Sequence, residues 1–174
     1  MELKQAMNQR KSIRSYTGEP VSQEQLDAIL NAAYEAPIGM GRYDSIHLTV
    51  ITNKDLLAQI DANAAQAFGN PKMHPLYGAP MLIVLSALDE VVTSDANVGI
   101  TLQNMSLQAV ELGLGQCLIY GAIRALNANP ELVAKLGLPK GFKPRGSLVL
   151  GPTTEVYADR DVPQKHHFAM DVLD

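Results

Sequence analysis

Three cations fall within five residues of an otherwise acidic chain. Arg10, Lys11 and Arg14 bracket Ser12 in the run Arg10-Lys11-Ser12-Ile13-Arg14. A phosphate monoester carries close to two negative charges and three acceptor oxygens, and guanidinium forks, an ammonium and a hydroxyl together suit it. The same cluster is also what a solvated basic patch looks like at the C-terminal end of a helix, where cations complement the dipole. Charge alone leaves both readings open. Other reactive side chains form no recognisable set. Cys117 is the single cysteine and reads as a core residue. His166 and His167 are adjacent, so in an extended chain they point to opposite faces and cannot easily share a metal. No His, Cys, Asp or Glu group has metal-ligand spacing, and no nucleophile elbow, P-loop or dinucleotide fingerprint is present.

The elements that must position the cluster follow from periodicity and punctuation. Leu3, Ala6 and Met7 predict a short helix over residues 2–9, running directly into the cations. Thr17-Gly18-Glu19-Pro20 breaks the chain, and Ser22 with Gln25 forms a capping box. The helix it starts buries Leu26, Ile29, Leu30 and Ala33 and ends in a loop at Pro37-Ile38-Gly39-Met40-Gly41. A strand is expected over 46–52, a helix capped by Asn53 to about Ala67, and a buried strand over 81–85. Thr93 or Ser94 caps the longest helix, which extends to about Leu112 and ends at Gly113. It carries Val98, Leu102, Met105, Ala109 and Leu112 on one stripe and Ile100, Leu107, Val110 and Leu114 partly off it. A helix so widely apolar is the centre of a domain, a subunit-interface helix, or both. A short strand over 117–120, a helix from Asn129-Pro130 to Gly137 and a last strand over 147–150 complete the pattern. Residues 152–174 lack apolar periodicity and read as an arm that lies on another surface. Helices and strands mix without strict alternation, which predicts a single α+β domain over 1–174.

Composition narrows the partners. Of 174 residues, 47% are hydrophobic and only 18% charged, below the usual quarter, so an oligomer is expected. A formal net charge of −4 argues against a nucleic-acid binder. No apolar run is long enough to span a membrane. Met1 to Gln5 carries no apolar leader core, and one cysteine fits a reducing compartment, so a cytoplasmic location is expected.

Taken with its context, the basic run resembles the opening of the nitroreductase family. Arg10-Lys11-Ser12-Ile13-Arg14 is followed by Tyr16, Thr17, Glu19-Pro20-Val21 and a capped helix ending at Ala36-Pro37. Gln103 to Ala109 with Leu112-Gly113-Leu114-Gly115-Gln116-Cys117 is similar to the family's central helix and its exit. Leu138-Pro139-Lys140-Gly141-Phe142-Lys143-Pro144 is similar to the turn before its last core strand.

The resemblance implies a nitroreductase-like sheet flanked by helices, a homodimer with FMN at the subunit interface, and a domain-swapped C-terminal arm. It assigns Arg10, Lys11, Ser12 and Arg14 to the FMN phosphate and ribityl chain. Backbone groups of Pro37, Ile38, Gly39 and Met40 fall near the pyrimidine ring, Tyr120-Gly121 at the N5 edge, and Arg160 and Lys165 at the phosphate. Many members carry an amide side chain in the loop after the second helix, and this chain has none there. Arg42 either replaces it or is a plain surface residue. Tyr43, Phe68 and Tyr77 are aromatic candidates near the pocket. The implied activity is NADH- or NADPH-driven reduction of a nitroaromatic, quinone or related acceptor through FMN by ping-pong hydride transfer. No side-chain acid or base is required. A non-enzymatic flavin carrier on the same fold and a phosphate-ligand binder without flavin are the alternatives.

Overall fold

The computed structural model describes residues 1–161 and 168–173. A four-stranded sheet forms the middle layer, in the order β1-β2-β4-β3, with every neighbouring pair antiparallel. Its strands are β1 (Ile46–Ile51), β2 (Met81–Leu88), β3 (Gly115–Leu118) and β4 (Phe142–Gly151). The helices are α1 (Leu3–Gln9), α2 (Gln23–Tyr34), α3 (Lys54–Ala67), α4 (Ser94–Glu111), α5 (Gly121–Asn127) and α6 (Pro130–Ala134). This is the expected α+β arrangement. No helix among the described residues is long and apolar enough to cross a membrane.

Each sheet face has its own core. Leu82, Val84, Cys117 and Val149 meet α3 and α5 through Leu57, Ile60, Ala64, Ile123 and Leu126. On the other face Ile83, Leu85, Leu148 and Leu150 meet α2 and α4 through Ile29, Val98, Leu102 and Met105. β2 is therefore buried on both sides along residues 81–87, as its continuous apolar run predicts.

Local signals set most of the boundaries. Ser22 and Gln25 close the reciprocal capping box of α2. The side chains of Asn53 and Asn129 accept from the N–H of Leu56 and Leu132, starting α3 and α6. The start of α4 is different. Thr93 occupies the N-cap without a side-chain cap bond, and Ser94 Oγ donates instead to the carbonyl of Leu88. The strand expected over 117–120 begins two residues earlier, because Gly115 pairs with Gly151 and the chain leaves the sheet after Leu118. The last strand is ten residues long rather than four. A bulge at Arg145 lets it pass Pro144, which pairs with Ser86 while Gly146 pairs with Leu85. α5 carries no sequence signal and was not expected; its Ala122, Ile123, Ala125 and Leu126 are buried in the first core.

The start of the tail docks on its own chain. Thr17 N–H donates to the Pro152 carbonyl and Thr153 Oγ1 to the Ser15 carbonyl. Tyr157 Oη donates to the Leu114 carbonyl at 2.8 Å, and burial pushes its phenol up to about 12. Arg160 and Asn8 exchange three hydrogen bonds through backbone and side chains. Residues 152–160 therefore hydrogen-bond to Asn8 of α1, to the 15–17 segment and to Leu114. The start of the expected arm thus has partners on its own chain. Among the described residues, 168–173 lie exposed throughout.

Candidate functional site

The 10–14 segment runs beside the outer edge of β3. Ile13 is fully buried and its N–H donates to the Gln116 carbonyl at 2.8 Å. Gln116 is itself fully buried. Its Nε2 donates to the Lys11 carbonyl at 2.7 Å, and its Oε1 accepts from Ser106 Oγ of α4. One glutamine thus fixes the backbone beneath the cations and ties it to the central helix. No local pattern announces this, because both partners precede Gln116 in the chain, by 10 and by 105 residues. Gln116→Leu removes the amide donor from Lys11 and leaves buried polar groups unpaired, at a cost of about 1–3 kcal/mol. Urea unfolding should show that loss, and binding of a phosphate ligand at 10–14 should weaken with it. Unchanged binding would mean the segment holds its shape without the glutamine.

The charged groups divide by what they already bind. Lys11 Nζ pairs with Glu155 at 3.1 Å, and the hydrogen bond from Lys11 holds the Glu155 carboxyl below the usual range. Arg14 is exposed; its Nε donates to Tyr77 Oη at 3.3 Å and its guanidinium lies 5.8 Å from the Tyr77 ring centre. Arg160 is anchored through Nε on the Asn8 carbonyl. Desolvation, and then the charge of Arg10, holds Arg160 below the usual arginine range. An oxyanion bound beside Arg160 would offset that desolvation. Ser12 is half-buried in the same stretch. This donor set fits a phosphate monoester. Lys165 lies outside the described residues, as do His166 and His167.

β3 leads from this cradle to the second part of the site. After Leu118 the chain turns through Ile119 and Tyr120 into α5. Gly121 opens that helix, and its N–H has no acceptor within the helix. A Cβ on Gly121 would lie 2.7 Å from Cζ of Phe68, so only glycine admits this approach of the Phe68 ring. Tyr120 is half-exposed and its phenol is pushed up, by desolvation first and the charge of Asp95 second. Phe68 and Tyr77 of the aromatic candidates thus reach this region. Tyr43 does not; its Oη donates to the Ala36 carbonyl.

The 37–40 loop lies elsewhere on the same chain. Gly39 N–H donates to Asn97 Oδ1 at 3.0 Å, in the first turn of α4. Asn97 is buried and donates in turn to Thr93 Oγ1. Ser106, which holds Gln116, is nine residues further on, about 13 Å along the helix. Within one chain the structure does not bring Pro37, Ile38, Gly39 and Met40 to the basic cluster. Met40 stands at φ +56° and is 83% exposed. Arg42 lies 3.7 Å from Asp44 in an exposed pair. A cavity of about 550 Å³ is lined by Val21, Leu57, Leu76 and Pro80 among others, and by none of the basic cluster. Among the described residues no group of three or more His, Cys, Asp or Glu is placed to hold a metal ion.

Comparison with known proteins shows what the chain is similar to. A curated Bacillus subtilis protein, FMN reductase (NAD(P)H), is 33% identical over an alignment of 174 positions covering 86% of this chain. The chain spans 65% of that relative's length. Among solved structures, a Bacteroides fragilis nitroreductase with bound FMN superposes with a TM-score of 0.84 at 24% identity, covering 98% of this chain and all of the other. A Desulfitobacterium hafniense nitroreductase with bound FMN gives 0.82, also at 24% identity, with 98% and 100% covered. These two likenesses are of fold. The family model described as "Nitroreductase family" matches residues 7–151, from the end of α1 to the end of β4. By that match, the chain belongs to the nitroreductase family.

Proposed function

We propose that this chain is an FMN-dependent NAD(P)H oxidoreductase that acts as a homodimer on an electron-poor acceptor such as a nitroaromatic or a quinone. The observation that carries the reading is the course of β3. One four-residue strand holds the cationic 10–14 segment at its side and delivers the Gly121 N–H at its end. The names of the B. subtilis relative and the two solved neighbours support the cofactor.

In this reading Arg10, Arg14 and Arg160 hold the phosphate, with Ser12 as a neutral donor. Lys11 contributes mainly through its bond to Glu155, which pins the tail. The Gly121 N–H is the donor available to the N5 edge. Bound there, FMN supplies reversible hydride chemistry between the nicotinamide and the acceptor. The protein's part is to place the ring, present one face and keep water from the other. No side chain is assigned as acid or base, and donor and acceptor using one face in turn give ping-pong kinetics.

The dimer rests on two features. Loop 37–40 is remote from its own chain's cradle, so it serves the partner's. The distal arm, Phe168 to Leu173, exposes Phe168, Met170, Val172 and Leu173, and no strand among the described residues pairs with the outer edge of β1. We place that part of the arm on the partner subunit. Residues 1–174 then make one domain with a swapped end, and the lone buried Cys117 fits a cytoplasmic setting.

The direct check is an absorbance spectrum of the purified protein, followed by anaerobic NADH and then NADPH. Flavin bands that bleach with one of them are expected. A yellow protein that resists both would make it a flavin carrier, and a colourless one that takes up no FMN would end the proposal.

A further inference from the structure

Between α3 and β2, a relay of hydrogen bonds ends on Arg14. Asp61, on α3, has a side chain only 17% exposed. Its Oδ1 accepts the Leu76 N–H at 2.7 Å, and its Oδ2 lies 2.9 Å from Nδ1 of His74. These bonds fix the backbone just before Tyr77, and the Tyr77 N–H closes the turn on the His74 carbonyl at 2.8 Å. Tyr77 itself stands at φ +56°, in the left-handed region that aromatic residues seldom occupy, and Gly78 follows at φ +70°. Such a conformation persists only where the neighbouring structure holds it. Its effect is to turn the phenol away from the loop and onto Arg14, 63 residues earlier.

Arg14 needs such a partner. It is an exposed, long side chain, and left alone it would sample many rotamers. The Tyr77 hydroxyl takes its Nε, and the ring lies alongside its guanidinium. With Nε engaged, the two terminal nitrogens of the fork remain on the opposite edge, the edge that grips an oxyanion with two bonds. We infer that Tyr77 is a positioning residue for Arg14, held in place by Asp61, and that it acts on the phosphate of the bound mononucleotide rather than on the flavin ring. The inference rests on the FMN reading of the site.

Riboflavin, which has the ring and ribityl chain but no phosphate, separates the two effects. Protein stripped of flavin is titrated with FMN and with riboflavin, following the quenching of flavin fluorescence, for the unchanged chain and for Tyr77→Phe. Losing one hydrogen bond that orders the fork should weaken FMN about two- to tenfold and leave riboflavin unchanged. Tyr77→Gly, which suits the left-handed backbone and removes the ring as well, should widen the FMN loss without touching riboflavin. In an Arg14→Ala background Tyr77→Phe should have no further effect on FMN. Equal losses for both ligands would place Tyr77 against the ring or in the general fold and overturn the inference. So would an unchanged FMN affinity, or a full additional loss without Arg14. If the unchanged chain binds no FMN at all, the FMN reading falls and takes this inference with it. The other contrary outcomes leave that reading standing.

Discussion

Replacing Arg10 and Arg14 together by alanine should leave a folded protein that purifies without flavin. Hydrogen bonds to a charged partner contribute about 1.5–3 kcal/mol each, so losing two guanidinium contacts weakens FMN by roughly 10²- to 10⁴-fold. The fold should barely notice. Arg14 is exposed, Arg10 is half-exposed, and the α1 C-cap that Arg10 provides is made by its backbone N–H. Surface substitutions of that kind usually move stability by less than about 0.5 kcal/mol. The dimer should loosen as well if the cofactor lies between the subunits. The decisive reading is the flavin-to-protein absorbance ratio, beside a thermal melt. A double variant that melts normally and purifies fully yellow would show that the cations do not hold the phosphate.

Two truncations should separate what the tail does for its own chain from what it does for a partner. A chain ending at Asp161 keeps Tyr157 on Leu114 and Arg160 on Asn8. It loses the exposed Phe168, Met170, Val172 and Leu173. Its melting temperature at low concentration should change little, while its dimer dissociates more readily in sedimentation. A chain ending at Gly151 loses both sets. Leu114 and Asn8 lose their tail partners, a cost of about 1–3 kcal/mol, or roughly 2–10 °C for a domain this size. FMN should weaken about 10- to 100-fold further with the loss of Arg160. If the chain ending at Asp161 sediments as the full chain does, the distal arm takes no part in assembly.

How much of this was legible in the sequence depended on whether the signal was local. The capping residues Ser22, Asn53 and Asn129 start their helices where expected, because each bonds a backbone N–H three residues on. β2 was legible as an apolar run. α5 was not, since Tyr120 offers no side-chain cap and the helix is held by burial against the α3 core. The frame of β3 was misplaced because Gly115 and Gln116 read as a helix exit. Gly115 belongs in the strand for a packing reason: a Cβ there would sit 3.0 Å from the Gly151 carbonyl, Ile13 and Thr153. β4 was cut short because Pro144 reads as a break, and the bulge that accommodates it is a property of the pair. The cations at 10–14 stood out by type and spacing. What holds them did not, since Gln116 and Tyr77 reach across more than sixty residues and carry no local pattern. Asn97 was hidden for the same reason, 58 residues from the loop it supports.

The open edge of β1 bears on how the molecule survives its own synthesis. Along residues 46–50 the strand is only half-buried, and its outer row of N–H and C=O groups faces no other strand among the described residues. Such a row is a template for any extended segment, including the same strand of another copy. A newly made chain at high concentration therefore faces a race. In the proposed dimer the partner's arm covers the edge, whereas edge-to-edge pairing leads to aggregates. Expression at low temperature or with excess flavin should favour the first outcome, because anything that binds only the assembled form draws chains away from the second.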